Sequence, residues 1–213
     1  MNTIGIADWP NILEHVTAIM NEHRDGLCLM DANMGDGDLG LTMKKSYDAL
    51  PTLYRDIDEP DMGKRLSKAG LKLASVAPST MGTLMASGWM EGGKRLVGVT
   101  DVDGKAFSSF LEGFSEGVAK RGKCKEGERT LLDAVGPAAR SAIERANAGG
   151  TLKDVVFAAL EGAQSGVEAT KNMLPKYGKA AVFAAKAIGV ADQGATAGML
   201  MIQGVYNGIT SNE

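Results

Sequence analysis

The sequence predicts an all-α protein. Apolar side chains recur three and four residues apart through most of the chain, no run reads convincingly as a strand, and small residues abound, with 28 glycines among 213 residues. Glycine weakens an isolated helix, but small residues on facing helices let backbones approach closely, which suits a tight bundle.

Asp8 ahead of Trp9 and Pro10 forms a helix start, and Ile12, Val16, Ile19 and Met20 carry the period of a first helix that ends by Gly26. His15 and His23 fall within it and read as structural, His23 near the C-terminal end where positive charge is favoured. An apolar GLCLM and an acidic, glycine-rich loop, DANMGDGDLG at 31–40, come next. Leu41 to about Leu50 is helical and stopped by Pro51; Met62, Leu66, Ala69 and Leu73 mark a helix capped by Asp61 and ended by Pro78. Met81, Leu84, Met85, Gly88 and Trp89 form the next, and a turn at EGGK separates it from Phe107, Phe110, Leu111, Phe114 and Val118. Leu131, Leu132, Val135, Ala139 and Ile143 follow Thr130, with a kink expected at Gly136 and Pro137. Thr151 and Asp154 resemble a capping arrangement before Leu152, Val155, Val156, Ala159 and Leu160. Ala180 to about Ala187 and, after GVADQG, Ala195 to Tyr206 complete about eight helices.

This length suits one domain, residues 1–213, and no polar linker divides it. The 23 basic and 26 acidic residues mix along the chain, giving a net charge of −3 and no basic stripe, so nucleic acid is not an expected partner. Neither a charged leader nor a membrane-length apolar run is present, and the expectation is a soluble, cytoplasmic protein. Cys28 and Cys124, without metal-ligand spacing around them, read as reduced thiols.

Asp31, Asp36 and Asp38 crowd into eight positions of the acidic loop and repel one another unless a cation sits among them. Gly35, Gly37 and Gly40 formally match GxGxxG, but the aspartates would face a pyrophosphate and no βαβ repetition supports the match. An EF-hand started at Asp36 would place Gly40 fifth and Tyr47 twelfth, where ligands are needed, and no P-loop is present. What remains is a set of hard oxygen ligands suited to magnesium, or a turn whose aspartates only cap the next helix. Burying the triad without a cation would cost several kcal/mol. PSTMGT, residues 78–83, likewise reads either as a plain cap or as hydroxyls and amides at a helix start that receive a phosphate.

GDGDLG with Asp31 upstream, PSTMGT, KEGERTLLDAVGPA at 125–138, KYGKAAV at 176–182 and ADQGAT at 191–196 together resemble, in order and spacing, the nucleotide-binding L subunit of dihydroxyacetone kinases. The resemblance implies an antiparallel eight-helix barrel whose loops at one end hold ADP or ATP, with phosphates bound through a pair of magnesium ions. By that resemblance the metal ligands are Asp31, Asp36 and Asp38; Leu39, Gly40 and Thr42 lie near phosphate, as do Ser79 and Thr80. Gly127 and Pro137 fall near the base. Lys179, where an arginine is usual, joins the three aspartates in the catalytic set, and Asp192 with Gly194 closes the pocket. This chain departs from the family pattern at Leu39, where a polar residue is common, at the short PSTMGT loop, at Lys179 and at Gln193, where proline is usual. Lysine keeps the charge and loses the planar fork.

The resemblance further implies a separate K subunit that holds the ketose covalently on a histidine. The L component delivers the phosphoryl group, either from resident ADP recharged by a phosphotransferase M protein or from free ATP; Leu39 and the altered loops keep an ATP-dependent kinase of a related ketose, such as erythrulose, as the alternative. A non-catalytic nucleotide-binding adaptor is the alternative from another class.

Overall fold

The computed structural model describes residues 3–177, 181 and 187–211. Among the described residues nine helices form: α1 (Trp9–Glu22), α2 (Arg24–Ala32), α3 (Leu39–Arg55), α4 (Met62–Val76), α5 (Thr80–Arg95), α6 (Gly104–Gly122), α7 (Leu132–Asn147), α8 (Leu152–Thr170) and α9 (Gln193–Thr210). No strand accompanies them, only an isolated antiparallel bridge between Ile4 and Val102.

Packing traces a closed ring. α1 lies on α3, each helix from α3 onward lies on its successor, and α9 returns to α1, so eight helices close the barrel and α2 rests against α3 and α9 as a ninth. Ring neighbours joined by connections much shorter than themselves run antiparallel, which gathers alternate connections at one end. The α2–α3, α4–α5, α6–α7 and α8–α9 connections share that end. At the other, the Gly98 amide donates to Asp61 Oδ2 at 2.8 Å. The barrel is filled by one contiguous apolar cluster, with Trp9, Trp89 and Phe110 interlocked: ring centroids are 6.2 Å apart for Trp9 and Trp89 and 5.5 Å for Trp89 and Phe110.

Several helix starts form as the sequence predicts. Asp61 accepts from the Lys64 amide at 2.8 Å, and Thr151 and Asp154 make both bonds of a capping box. Asp8 holds the position before α1, but its carboxylate takes the Gly5 amide instead of a helical one.

Three expectations are corrected. The apolar GLCLM belongs to a short helix, α2, which starts at the His23 joint and carries Asp31 in its last turn; only Leu27 and Asp31 of it are buried, too few to display a period. α3 continues through Pro51 to Arg55. Proline there removes the donor to the Tyr47 carbonyl, and the Thr17 hydroxyl on α1 supplies one instead at 2.6 Å. EGGK lies inside α5, because Gly92 and Gly93 are where α6 and α4 press on it. A Cβ on Gly92 would come within 2.9 Å of the Phe110 carbonyl oxygen, and one on Gly93 within 2.7 Å of the Ser67 nitrogen. α7 carries Gly136 and Pro137, where a kink is expected, within its length, and the Asp133 carbonyl that Pro137 cannot serve meets Gly166 of α8, where a Cβ would stand 2.0 Å away. The helix expected from Ala180 to Ala187 falls almost wholly outside the described residues. No helix among the described residues is long and apolar enough to cross a membrane.

Replacing Thr17 by valine strands the Tyr47 carbonyl and should lower stability by about 1–2 kcal/mol in urea unfolding. The loss should shrink in a Pro51→Ala background, where residue 51 regains its amide donor; an equal loss in both backgrounds would refute this account of how α3 tolerates its proline.

Candidate functional site

At the gathered end, a pocket of about 360 Å³ opens among the four connections. Its acidic wall is built by Asp31. As the last turn of α2 ends, Asp31 Oδ2 accepts the amides of Gly37 at 2.9 Å and Asp38 at 3.1 Å, and Gly37, at φ +77°, makes the left-handed turn this requires. The loop is thereby folded back on α2, and carboxylate oxygens of Asp31, Asp36 and Asp38 come within 4.8 Å of one another. Such a set suits a hard divalent cation. Asp31 is buried whereas Asp36 and Asp38 are exposed, so the desolvation penalty expected for a buried triad falls on one carboxylate only. Asp38 precedes α3 but makes no side-chain cap there, which departs from a purely capping role.

Leu39 and Thr42 line the pocket from the first turn of α3. Leu39 is also buried in the apolar cluster, the physical reason a nonpolar residue stands there. Gly40 does not line the pocket; it lies where α2 presses on α3, and a Cβ on it would be 1.9 Å from the Arg24 carbonyl oxygen. Across the opening, Ser79 caps α5 by accepting the Gly82 amide at 3.0 Å, and Ser79 and Thr80 line the pocket. The first-turn amides of Thr80 and Met81 have no carbonyl one turn back and are suited to an anion.

The α6–α7 connection is organised by Asp133. Buried in the first turn of α7, it accepts the Gly127 amide at 2.5 Å and the Thr130 amide at 2.7 Å. Between them Arg129 is held at φ +58°, an uncommon conformation for a residue with a side chain. Its buried guanidinium compensates: Nη1 lies 2.9 Å from the Thr170 carbonyl oxygen, 3.0 Å from that of Ala187 and 2.8 Å from that of Val190, and Nε lies 3.8 Å from Asp192 Oδ1. Asp192 in turn caps α9 by accepting the Ala195 amide at 2.8 Å, and its own amide donates to the Thr170 hydroxyl oxygen at 2.9 Å. Burial pushes the Asp192 carboxyl up to about 6, against the pull of the Ala195 amide and Arg129, with Asp133 adding to the rise. Desolvation moves Arg129 downward, with Asp192 opposing it.

Tyr177 closes one side of the pocket, its hydroxyl donating to the Lys123 carbonyl at 3.0 Å beside an exposed Lys176–Glu128 ion pair. Gln193 lines the opposite wall and donates from Nε2 to Asp31 Oδ1 at 3.4 Å.

Asp31, Asp36, Asp38, Leu39, Thr42, Ser79, Thr80, Asp192 and Gly194 therefore share one pocket. Gly127 and Pro137 do not line it: Gly127 shapes the α6–α7 turn and Pro137 sits inside α7. Lys179 lies outside the described residues. Sequence reasoning passed over Arg129, Thr130 and Asp133 in the KEGERTLLDAVGPA block, although a charged residue between a turn glycine and the first apolar helical position was a usable signal.

The DAK2 domain family matches residues 33–207. The chain is 24% identical to the ADP-binding subunit DhaL of PEP-dependent dihydroxyacetone kinase 2 from Listeria innocua, covering 90% of this chain and 89% of that protein. It is 29% identical to the L-erythrulose kinase of Pectobacterium atrosepticum over 89% of this chain and 34% of that protein. The dihydroxyacetone kinase of C. freundii in complex with AMP-PNP and Mg2+ superposes with a TM-score of 0.67 at 25% identity, covering 96% of this chain and 33% of that one. The chain thus spans about a third of the length of these last two proteins.

Arg129→Met should destabilise the protein by about 3 kcal/mol or more, since Asp192 and three carbonyls would lose a buried cation. Combining it with Asp192→Asn should give less than the sum in chemical denaturation. Because the Asp192 carboxyl is raised in the folded state, the metal-free protein should lose stability relative to Asp192→Asn as pH rises from about 4 to 6. Thermal unfolding across that range, with a constant difference between the two proteins, would overturn the assignment.

Proposed function

The chain belongs to the DAK2 domain family, and from that premise we propose that it is the nucleotide-binding subunit of a dihydroxyacetone kinase, a cytoplasmic phosphotransferase component that works with a K subunit. The observation that carries this reading is the convergence of the Asp31, Asp36 and Asp38 oxygens in a pocket whose other wall is the start of α5.

The donor set fits magnesium: oxygen ligands only, with the Asp31 carboxylate held in place by two amides on Oδ2. Bound Mg2+, one ion or a pair, would neutralise phosphate charge as the phosphoryl group leaves. The residues of this chain align it. Asp31, Asp36 and Asp38 hold the cation, the α5 start with Ser79 and Thr80 receives phosphate oxygens, and Leu39, Leu84 and Leu131 give the pocket its apolar surface against a nucleotide. Thr42, Asp192 and Gly194 complete the enclosure, and Lys179 supplies a further positive charge toward phosphate. His15 and His23 lie on or beside α1, away from the pocket, so the ketose is held elsewhere, on the K subunit.

In this reading ADP stays bound and is recharged by a phosphotransferase M protein. Support comes from the likeness, over nine tenths of both lengths, to a PEP-dependent ADP-binding subunit. A second reading, an ATP-dependent kinase component for a ketose such as erythrulose, is favoured by the higher identity to an L-erythrulose kinase.

Asp36→Asn should weaken magnesium-dependent ADP binding by about tenfold or more and slow phosphoryl transfer to dihydroxyacetone with a K subunit present, while the helical circular dichroism stays unchanged. Undiminished transfer would refute the role. Native mass spectrometry of protein purified in magnesium separates the donors: retained ADP supports the resident-cofactor reading, and nucleotide-free protein that binds ATP reversibly supports the ATP-dependent one.

A further inference from the structure

Gln193 occupies the first position of α9, directly after its cap Asp192, and reaches across the pocket to the acidic wall. The amides of Gly37 and Asp38 both bind Asp31 Oδ2, and neither takes Oδ1. Gln193 Nε2 stands 3.4 Å from that same Oδ1.

The direction of the amide follows from this contact. An ionised carboxylate oxygen only accepts, so the nitrogen of the amide faces Asp31 and the oxygen is turned the other way. That oxygen, Oε1, is buried and has no hydrogen-bond partner among the described residues. A buried amide oxygen without a donor is disfavoured, and the missing donor is expected to be something the working site contains. Water bound to a divalent cation is a strong donor, and magnesium held by carboxylates keeps several waters.

We propose that Gln193 is a positioning residue of the metal site. Its amide donates to Asp31 Oδ1, fixing the carboxylate, and its Oε1 accepts a hydrogen from a water carried by the cation. The inference rests on the reading that Asp31, Asp36 and Asp38 hold a divalent ion. Gln193 makes no contact with the reacting atoms in this role, and acts through the cation and its ligand. An outer partner of this kind sets how tightly the ion is held more than how the chain folds.

The test uses Mn2+ alone as the probe, with no nucleotide, titrated into the full chain while free Mn2+ is read by electron paramagnetic resonance. Gln193→Leu removes donor and acceptor at similar size. Gln193→Pro does so with a residue that the first position of a helix accommodates well. Both should bind Mn2+ about tenfold more weakly than wild type, with unchanged thermal unfolding in the absence of metal. Gln193→Glu adds a fourth carboxylate at the same reach and should tighten Mn2+ binding at pH 8, a gain that a role in packing alone would not produce. Affinities for the leucine and proline variants within twofold of wild type would overturn the proposal while leaving the metal site standing. A wild-type chain that binds no Mn2+ would overturn both.

Discussion

The arrangement of the functional end depends on one buried cation, the guanidinium of Arg129. Its terminal nitrogen joins the last residue of α8 to the carbonyls of Ala187 and Val190, and its charge faces the cap of α9. A backbone carbonyl that emerges from a helix end into a buried space needs a donor, and here three of them converge on one side chain. The left-handed conformation of Arg129 is tolerated because Asp133 grips the amides on either side of it. Asp192, Gly194 and Gln193 thus take their places in the pocket wall beside Arg129, which lines the same pocket.

Much of this molecule was legible from residue order. Helix period placed Ile12 and Val16, Phe107 to Val118 and Val155 to Leu160 on buried faces, and the cap chemistry of Asp61 and of Thr151 with Asp154 reads directly because it is local. The aspartates of the acidic loop were conspicuous for the same reason. What escaped was what depends on a distant partner. Pro51 looks like a helix stop until Thr17 is known to serve the carbonyl it abandons, and the glycines of EGGK look like a turn until α4 and α6 are seen against them. Asp31 was read as a loop residue because α2 buries too little to announce itself. Arg129 is the extreme case, since its acceptors lie 41 to 61 residues further along the chain.

The two ends of the barrel divide the labour. At one, a bridge between Ile4 and Val102 and the bond from Gly98 to Asp61 tie backbone segments together. At the other, carboxylates, a helix start and an apolar surface open onto one cavity. Antiparallel neighbours produce this segregation without further design, because every second connection returns to the same end. Residues far apart in the chain, such as Asp31 and Gln193, become neighbours through ring closure.

That closure also orders events during synthesis. α1 is completed by α9: a Cβ on Gly204 would lie 2.5 Å from the Val16 Cα, and one on Gly208 would lie 2.8 Å from the Ile12 Cα. While the chain is still emerging from the ribosome, the stripe of α1 that carries Ile12 and Val16 has no permanent cover, because its partner is the final helix among those described. Nascent chains with such an open seam are the ones that meet holding chaperones or pair wrongly with a neighbour's helix, and the seam on α1 stays open until α9 has been made.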